Sequence, residues 1–184
     1  HDLSGLDRLR GEHNWQNVAA AFAVFLALGL DNRTIWQGVQ SFPGLPHRQF
    51  LVRTIGKVSY VNDSKATNAD ATQKALRSFD NIYLIAGGQP KEGGLNGLER
   101  DMDQVRHVYL IGQAQDEFAV WLNANGIANT LCNTLDKAVS AAHQAAQDSG
   151  KAAVVLLSPA CASWDQFQSF EHRGRLFEEM VRDL

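Results

Sequence analysis

Three short segments carry side chains suited to holding an anion. "YVNDSKATNADA", residues 60–71, brings Lys65 and Thr67, and "LIAGGQPKEGG", residues 84–94, delivers Lys91 on a Gly-rich loop. "LLSPACASWDQFQSF", residues 156–170, runs from an apolar pair through small residues to Ser163. A serine nucleophile needs a base in reach, and the nucleophile elbow of hydrolases reads G-x-S-x-G, which Ala162 and Trp164 do not support. Ser163 with Gln166 and Thr67 with Asp70 instead form S-x-x-Q and T-x-x-D boxes, which predict two helix N-termini. Two helix N-termini and two lysines converging on one crevice would suit a ligand with two carboxylates. The same pattern is also met if Thr67 and Ser163 only cap helices and the lysines are solvated.

Two further positions could touch a nucleotide. In "GEHNWQNVAA", residues 11–20, Asn14 and Asn17 are three apart and share a helix face, and carboxamides can pair with an adenine edge; helix capping by Asn14 is the plainer alternative. "LPHR" places Arg48 at a hinge-like position, where a guanidinium could clamp phosphate or stand solvated in a linker. The six histidines lack ligand spacing, so no protein-only metal site is expected. Neither G-x-G-x-x-G nor G-x-x-x-x-G-K-[ST] occurs after the first strands.

The elements that must position these residues follow from periodicity. Trp15, Val18, Phe22, Phe25 and Leu26 recur at helical spacing from His13 to Leu30, and a second helix starts at Asp31 and Asn32 and runs through Val39. "FPGLPHR", residues 42–48, interrupts any periodic element, which places a domain boundary there: residues 1–44 and 45–184. Beyond it "FLVRTI" and "VSYVND" read as strands joined at Gly56 and Lys57, followed by strands "NIYLIAGG", "HVYLIG" and "AAVVLLS". Helical stretches at Asn68–Ser78, Gln113–Ala124 and Leu135–Ser149 separate them. Apolar strands alternating with helices predict an α/β fold, a Rossmann-like, mostly parallel sheet with helices on both faces. Ligands of such sheets sit beyond the carboxyl ends of the strands.

Bulk properties exclude several classes. A chain of 184 residues buries roughly 70% of its unfolded surface, and 45% hydrophobic with 20% charged residues is ordinary for a globular protein. A net charge of -3 without a basic run disfavours nucleic acid and membrane surfaces as partners. Cys132 and Cys161 form no disulfide framework, which fits a reducing, cytoplasmic setting. "VAAAFAVFLALGL" from Val18 is shorter than the about 20 residues a spanning helix needs. The opening "HDLSGLDRLRG" has no initiator methionine and no signal pattern, so the chain reads as a piece of a longer protein.

"GEHNWQNVAAA", "GLPHR", "VNDSKATN", "GGQPK" and "LLSPACASWDQFQSFEHRG" occur in an order that resembles the Mur ligases, and their D-glutamate-adding branch in particular. The resemblance spans residues 11 to 174, and "NDSKATN" and "SPACAS" are its specific parts. It implies that residues 1–44 end the family's central ATP-binding domain and that 45–184 form its C-terminal Rossmann-like domain. It implies an ATP-dependent carboxylate-amine ligase of bacterial peptidoglycan synthesis, monomeric and cytoplasmic. ATP, with Mg2+, would activate the carboxylate of UDP-N-acetylmuramoyl-L-alanine as an acyl phosphate, which the D-glutamate amine attacks.

By motif position, Asn14 and Asn17 would face adenine, Arg48 the phosphates and Asp63 the ribose. Lys65, Thr67 and Lys91 would bind and orient D-glutamate, with Lys65 the catalytic candidate, and Ser163 and the backbone near Phe170 would hold its side-chain carboxylate. Trp164 stands where relatives carry Leu or Phe and keeps that wall apolar, while Gln89 and Pro90 replace a polar, often acidic, approach to Lys91. The metal ligands, the P-loop and the uridine site would precede His1, so this chain alone is expected to be inactive. Two alternatives are weighed: a ligase of the same superfamily adding another amino acid, such as a folylpolyglutamate-type enzyme, and a non-catalytic Rossmann-like module that binds a nucleotide or amino acid.

Overall fold

The computed structural model describes every residue except His1, Ser4 and Asp7, and the chain divides into two compact units, His1–Leu45 and Pro46–Leu184. In the first unit, α1 (Glu12–Ala27) ends at Leu28 with Gly29 at φ 88, the left-handed conformation that glycine adopts freely. Helix α2 (Asn32–Ser41) is capped by Asp31, whose carboxylate accepts from the Arg33 and Thr34 N–H groups. Asn14 lies inside the first turn of α1 and is not its cap; that place falls to Gly11, and the Asn14 amide donates to the Arg10 carbonyl at 2.7 Å. Val18, Phe22, Phe25, Ile35, Val39 and Phe42 line an apolar groove of about 580 Å³ in this unit, with Asn17 beside them.

The second unit is an α/β sheet of order β1-β2-β6-β3-β4-β5. Strands β1 (Phe50–Ile55) and β2 (Val58–Asn62) form an antiparallel hairpin, with Gly56 at φ 60 in the first central turn position. All other pairings are parallel: β2 and β3 (Ile82–Gly87) flank β6 (Ala153–Leu157), then come β4 (Val105–Ile111) and β5 (Asn129–Asn133). Strand β3 is buried along its whole length because both sheet faces are covered. Leu84 and Ala86 pack with Leu76, Phe118 and Leu122 under α3 (Ala69–Leu76) and α4 (Gln115–Ala124). Tyr83 and Ile85 point the other way, toward Val139, Ala142, Phe177 and Val181 of α5 (Leu135–Asp148) and α6 (Phe170–Arg182).

Topology explains which helices share a face. The β2–α3–β3 crossover and the β5–α5–β6 crossover run in opposite directions along the sheet, so right-handedness sends α3 and α5 to opposite faces. Strand β6 therefore exits toward α6 while its neighbours β2 and β3 exit toward the α3 face. Such a reversal opens a crevice at the carboxyl ends of the strands.

Two local expectations are corrected. Asn68, not Thr67, caps α3, accepting from the Ala71 N–H at 2.9 Å. No helix begins at Ser163: its carbonyl accepts from Gln166 and Phe167 N–H groups in a single turn, and the next helix starts at Phe170 behind the Ser169 cap. Asp165 and Gln166 are drawn instead into tertiary bonds, to the Gln113 N–H and the Asn133 carbonyl, which stops the turn from propagating. Strand β5 and a 3-10 helix at Glu99–Gln104 had no sequence expectation. No helix among the described residues is long and apolar enough to cross a membrane.

Close packing at the carboxyl edge depends on Gly87, which sits at φ 119 where a Cβ would run into the Ile111 carbonyl oxygen. Gly87→Ala should cost about 3 kcal/mol or more, from the backbone conformation and the clash together. Gly126→Ala, at φ 70 in open space, should cost only about 1 to 2 kcal/mol. Urea denaturation of the two variants checks this, and equal losses would contradict the packing account.

Candidate functional site

The loops that leave β2, β3 and β6 carry Lys65 and Thr67, Lys91, and Ser163, and main-chain bonds knit them together. The ladder continues past the strand ends: the Asp63 N–H donates to the Leu157 carbonyl at 2.8 Å, the Gly87 N–H to Pro159 at 2.8 Å and the Gln89 N–H to Ala162 at 2.9 Å. The last of these seats the Lys91 loop against the Ser163 loop, and the two form an isolated antiparallel bridge there. Gly88 permits the approach, since a Cβ on it would run into the Ala162 carbonyl oxygen.

Ser163 is only 2% exposed, yet its hydroxyl takes no partner among the described residues. The Ser163 oxygen is not among the solvent-shielded polar atoms that lack a partner, so it keeps a small exposed area through which a ligand can reach it. Lys65 and Lys91 are exposed, and Lys91 lies close enough to Cys161 for its charge to act on that thiol. Burial nevertheless pushes the Cys161 thiol up to about 12, so it is an inert neighbour and not a nucleophile. Trp164 is 69% exposed.

Asp63 has a different setting from the one its motif implies. It is 4% exposed, and both oxygens are engaged: Oδ1 accepts from the Gln49 N–H at 3.1 Å and Oδ2 from the Ser158 hydroxyl at 2.8 Å. Ser158 in turn lies 3.2 Å from the Thr72 hydroxyl of α3. Arg48 is exposed between two residues in the left-handed region, His47 at φ 60 and Gln49 at φ 46. Three bonds hold that unusual backbone: Gln49 N–H to Asp63, Lys65 N–H to the His47 carbonyl at 3.0 Å, and the Asn62 amide to His47 Nδ1 at 2.9 Å. The segment that displays Arg48 is thus clamped to the loop that displays Lys65.

Sequence reasoning missed Asn62, Ser158 and Arg173. Fully buried Asn62 also donates toward the Gly174 carbonyl and Glu178 Oε1 and accepts from the Ser64 N–H. Polar residues at the ends of apolar strand runs were the available signal. Arg173 is wholly buried on α6 in register with Phe177 and Val181, so a charge inside an apolar i, i+4, i+8 stripe would have found it.

A mostly parallel sheet whose carboxyl-edge loops carry two lysines and an unengaged hydroxyl defines a Rossmann-like unit. Residues 47–161 match the family described as "Mur ligase, glutamate ligase domain", and the chain belongs to that family. It is 54% identical over 184 residues to the UDP-N-acetylmuramoylalanine--D-glutamate ligase of Rhodospirillum rubrum, covering 100% of this chain and 38% of that protein. The protein of the same name from Paramagnetospirillum magneticum is 52% identical over 182 residues, 98% of this chain and 40% of its own length. The chain thus spans about two fifths of these relatives. Among solved structures, UDP-N-acetylmuramate-alanine ligase MurC from Thermotoga maritima shares the fold, with a TM-score of 0.66 at 17% identity over 94% of this chain and 38% of that one.

Burial pushes the Asp63 carboxyl up to about 7, against the opposing Ser158 and Gln49 hydrogen bonds and the Arg48 charge. The folded value lies above the unfolded one, so the native chain binds more protons between about pH 4 and about pH 7. Stability from this group is therefore lost as pH rises through that window, by at most about 1.4 kcal/mol per pH unit. Asp63→Asn cannot ionise and should gain stability relative to the parent chain between about pH 5 and about pH 8. Urea denaturation at both values measures this; a difference independent of pH would contradict it.

Proposed function

We propose that this chain is the C-terminal part of an ATP-dependent ligase that joins D-glutamate to UDP-N-acetylmuramoyl-L-alanine, and that the Pro46–Leu184 unit holds the incoming amino acid. The observation that carries the reading is the meeting of the Lys65, Lys91 and Ser163 loops around a serine hydroxyl that makes no hydrogen bond among the described residues. The identity of 54% with a D-glutamate ligase over the whole chain supports the choice of substrate.

D-Glutamate presents two carboxylates and one amine. Lys65 and Lys91 neutralise and orient the anion, Thr67 adds a hydroxyl at the entrance of α3, and Ser163 with the backbone near Phe170 takes the side-chain carboxylate. Phe170 suits that role because it is the first residue of α6, where main-chain N–H groups have no acceptor within the helix. Lys65, nearest the nucleotide-facing Arg48 segment through the His47 clamp, is the residue assigned to the reacting end. None of these side chains needs to form a covalent intermediate; their contribution is orientation and charge.

ATP supplies the phosphoryl group that activates the acceptor carboxylate. Arg48 is exposed and rigidly displayed, as a phosphate contact requires. Asp63, with both oxygens engaged, contributes chiefly by holding Arg48, and a ribose contact would add to that. Asn14 and Asn17, in the residues proposed to end the central domain, are the adenine contacts. By the resemblance to the family, Mg2+ would draw its ligands from the remainder of the full-length ligase.

In that full-length ligase, Ser163→Ala should raise KM for D-glutamate roughly tenfold with KM for ATP unchanged, as expected for one lost hydrogen bond to a charged group. Steady-state kinetics with D- and L-glutamate test this; an unchanged KM, or equal use of L-glutamate, would refute the assignment. The 184-residue chain alone should release no phosphate from ATP in the presence of both substrates, and detectable release would show that it holds a complete active site.

A further inference from the structure

Arg173 is a full charge at 0% exposure, and no carboxylate among the described residues pairs with it. Its guanidinium is met by main-chain oxygen and one hydroxyl. Nε donates to Ser64 Oγ at 2.9 Å, Nη2 to the Ser64 carbonyl at 2.9 Å and the Cys161 carbonyl at 3.1 Å, and Nη1 to the Ala162 carbonyl at 3.4 Å. Two of these three residues adjoin a residue of the amino-acid site. Ser64 precedes Lys65, Ala162 precedes Ser163, and the Ala162 carbonyl also receives the Gln89 N–H of the Lys91 loop. Ser64 Oγ passes the connection on to the Phe170 carbonyl. Gly88 stands against the same group, where a Cβ would lie 3.2 Å from Nη1.

We propose that Arg173 is a positioning residue for the amino-acid site: one buried guanidinium sets the Lys65, Lys91 and Ser163 loops relative to one another and presents a positive charge behind the place where the substrate carboxylate docks. The inference rests on the D-glutamate reading above and extends it to a residue outside the matched family segment. Geometry favours arginine over lysine here. A planar fork with five N–H groups can serve carbonyls on two loops at once, whereas an ammonium has three donors radiating from one point. The charge is functional as well as structural: the Asp165 carboxylate acts on it without forming an ion pair, and a buried ion so weakly balanced gains when an anion arrives beside it. Burial lowers the Arg173 pKa to about 10, which keeps it protonated at neutral pH.

The test is steady-state kinetics of the full-length ligase carrying Arg173→Lys and Arg173→Gln, beside Ser163→Ala as the reference for the site itself. Arg173→Lys should raise KM for D-glutamate roughly tenfold and Arg173→Gln more, with KM for ATP held within about twofold. General damage to the fold would move both constants together. If neither Arg173 variant folds, Ser64→Ala, which removes the Nε acceptor and the hydroxyl bond to the Phe170 carbonyl while leaving the other guanidinium contacts, should still raise KM for D-glutamate several-fold. KM values for D-glutamate unchanged in the folded Arg173 variants, or in Ser64→Ala where those do not fold, while Ser163→Ala raises it, would overturn this proposal and leave the D-glutamate reading intact. No dependence on D-glutamate in any variant or in the parent enzyme would instead overturn the reading on which it rests.

Discussion

A guanidinium removed from water must find acceptors for its N–H groups, and the Pro46–Leu184 unit meets that demand with main-chain carbonyls of two loops instead of a carboxylate. Much of the carboxyl edge follows from this choice. The Cys161 and Ala162 carbonyls must turn inward, Gly88 must lack a side chain, and the Ser64 hydroxyl must face α6. The residues beside those acceptors, Lys65 and Ser163, are thereby fixed in place by main-chain geometry, so their side chains remain available for a ligand. Loops tend to be mobile; these are held like parts of the core.

A second constraint joins this edge to the hinge-proximal segment. Left-handed backbone at His47 and Gln49 is unfavourable for residues with a Cβ, and it persists because Asn62, Asp63 and Lys65 hold it from the end of β2. Gly174 is part of the same arrangement, since a Cβ there would collide with the His47 ring. Arg48 and Lys65 consequently move as one body, which is useful if one faces a nucleotide and the other the amino acid that attacks its product. Burying Asp63 is the energetic counterpart: its raised pKa shows that the clamp is maintained against the carboxylate's own preference for water.

Much of this was legible in the sequence. The continuous apolar runs of β2, β3, β4 and β6 announced a mostly parallel sheet, and its topology placed all three candidate segments at one edge. Strand β5 escaped notice because "NTLCN" is a short edge strand with one buried side chain, Cys132, and no periodic signal. The Thr67 box failed by one residue because Asn68 competes for the same role and wins the Ala71 N–H. At Ser163 the local capping pattern was real, but tertiary bonds from Asp165 and Gln166 overrode it. Asn62 and Arg173 were missed for a common reason: polar groups satisfied by main chain leave no motif, only a polar letter where an apolar one is expected.

The central claim is that the amino-acid site is already assembled in this chain. Amide-resonance NMR of the 184-residue chain, titrated to millimolar D-glutamate with L-glutamate as control, tests it most directly. The account predicts enantiomer-selective shifts grouped at Lys65, Thr67, Lys91 and Ser163, with the Glu12–Ala27 helix unaffected. Shifts that do not distinguish the enantiomers, or no shifts at those four positions, would contradict it.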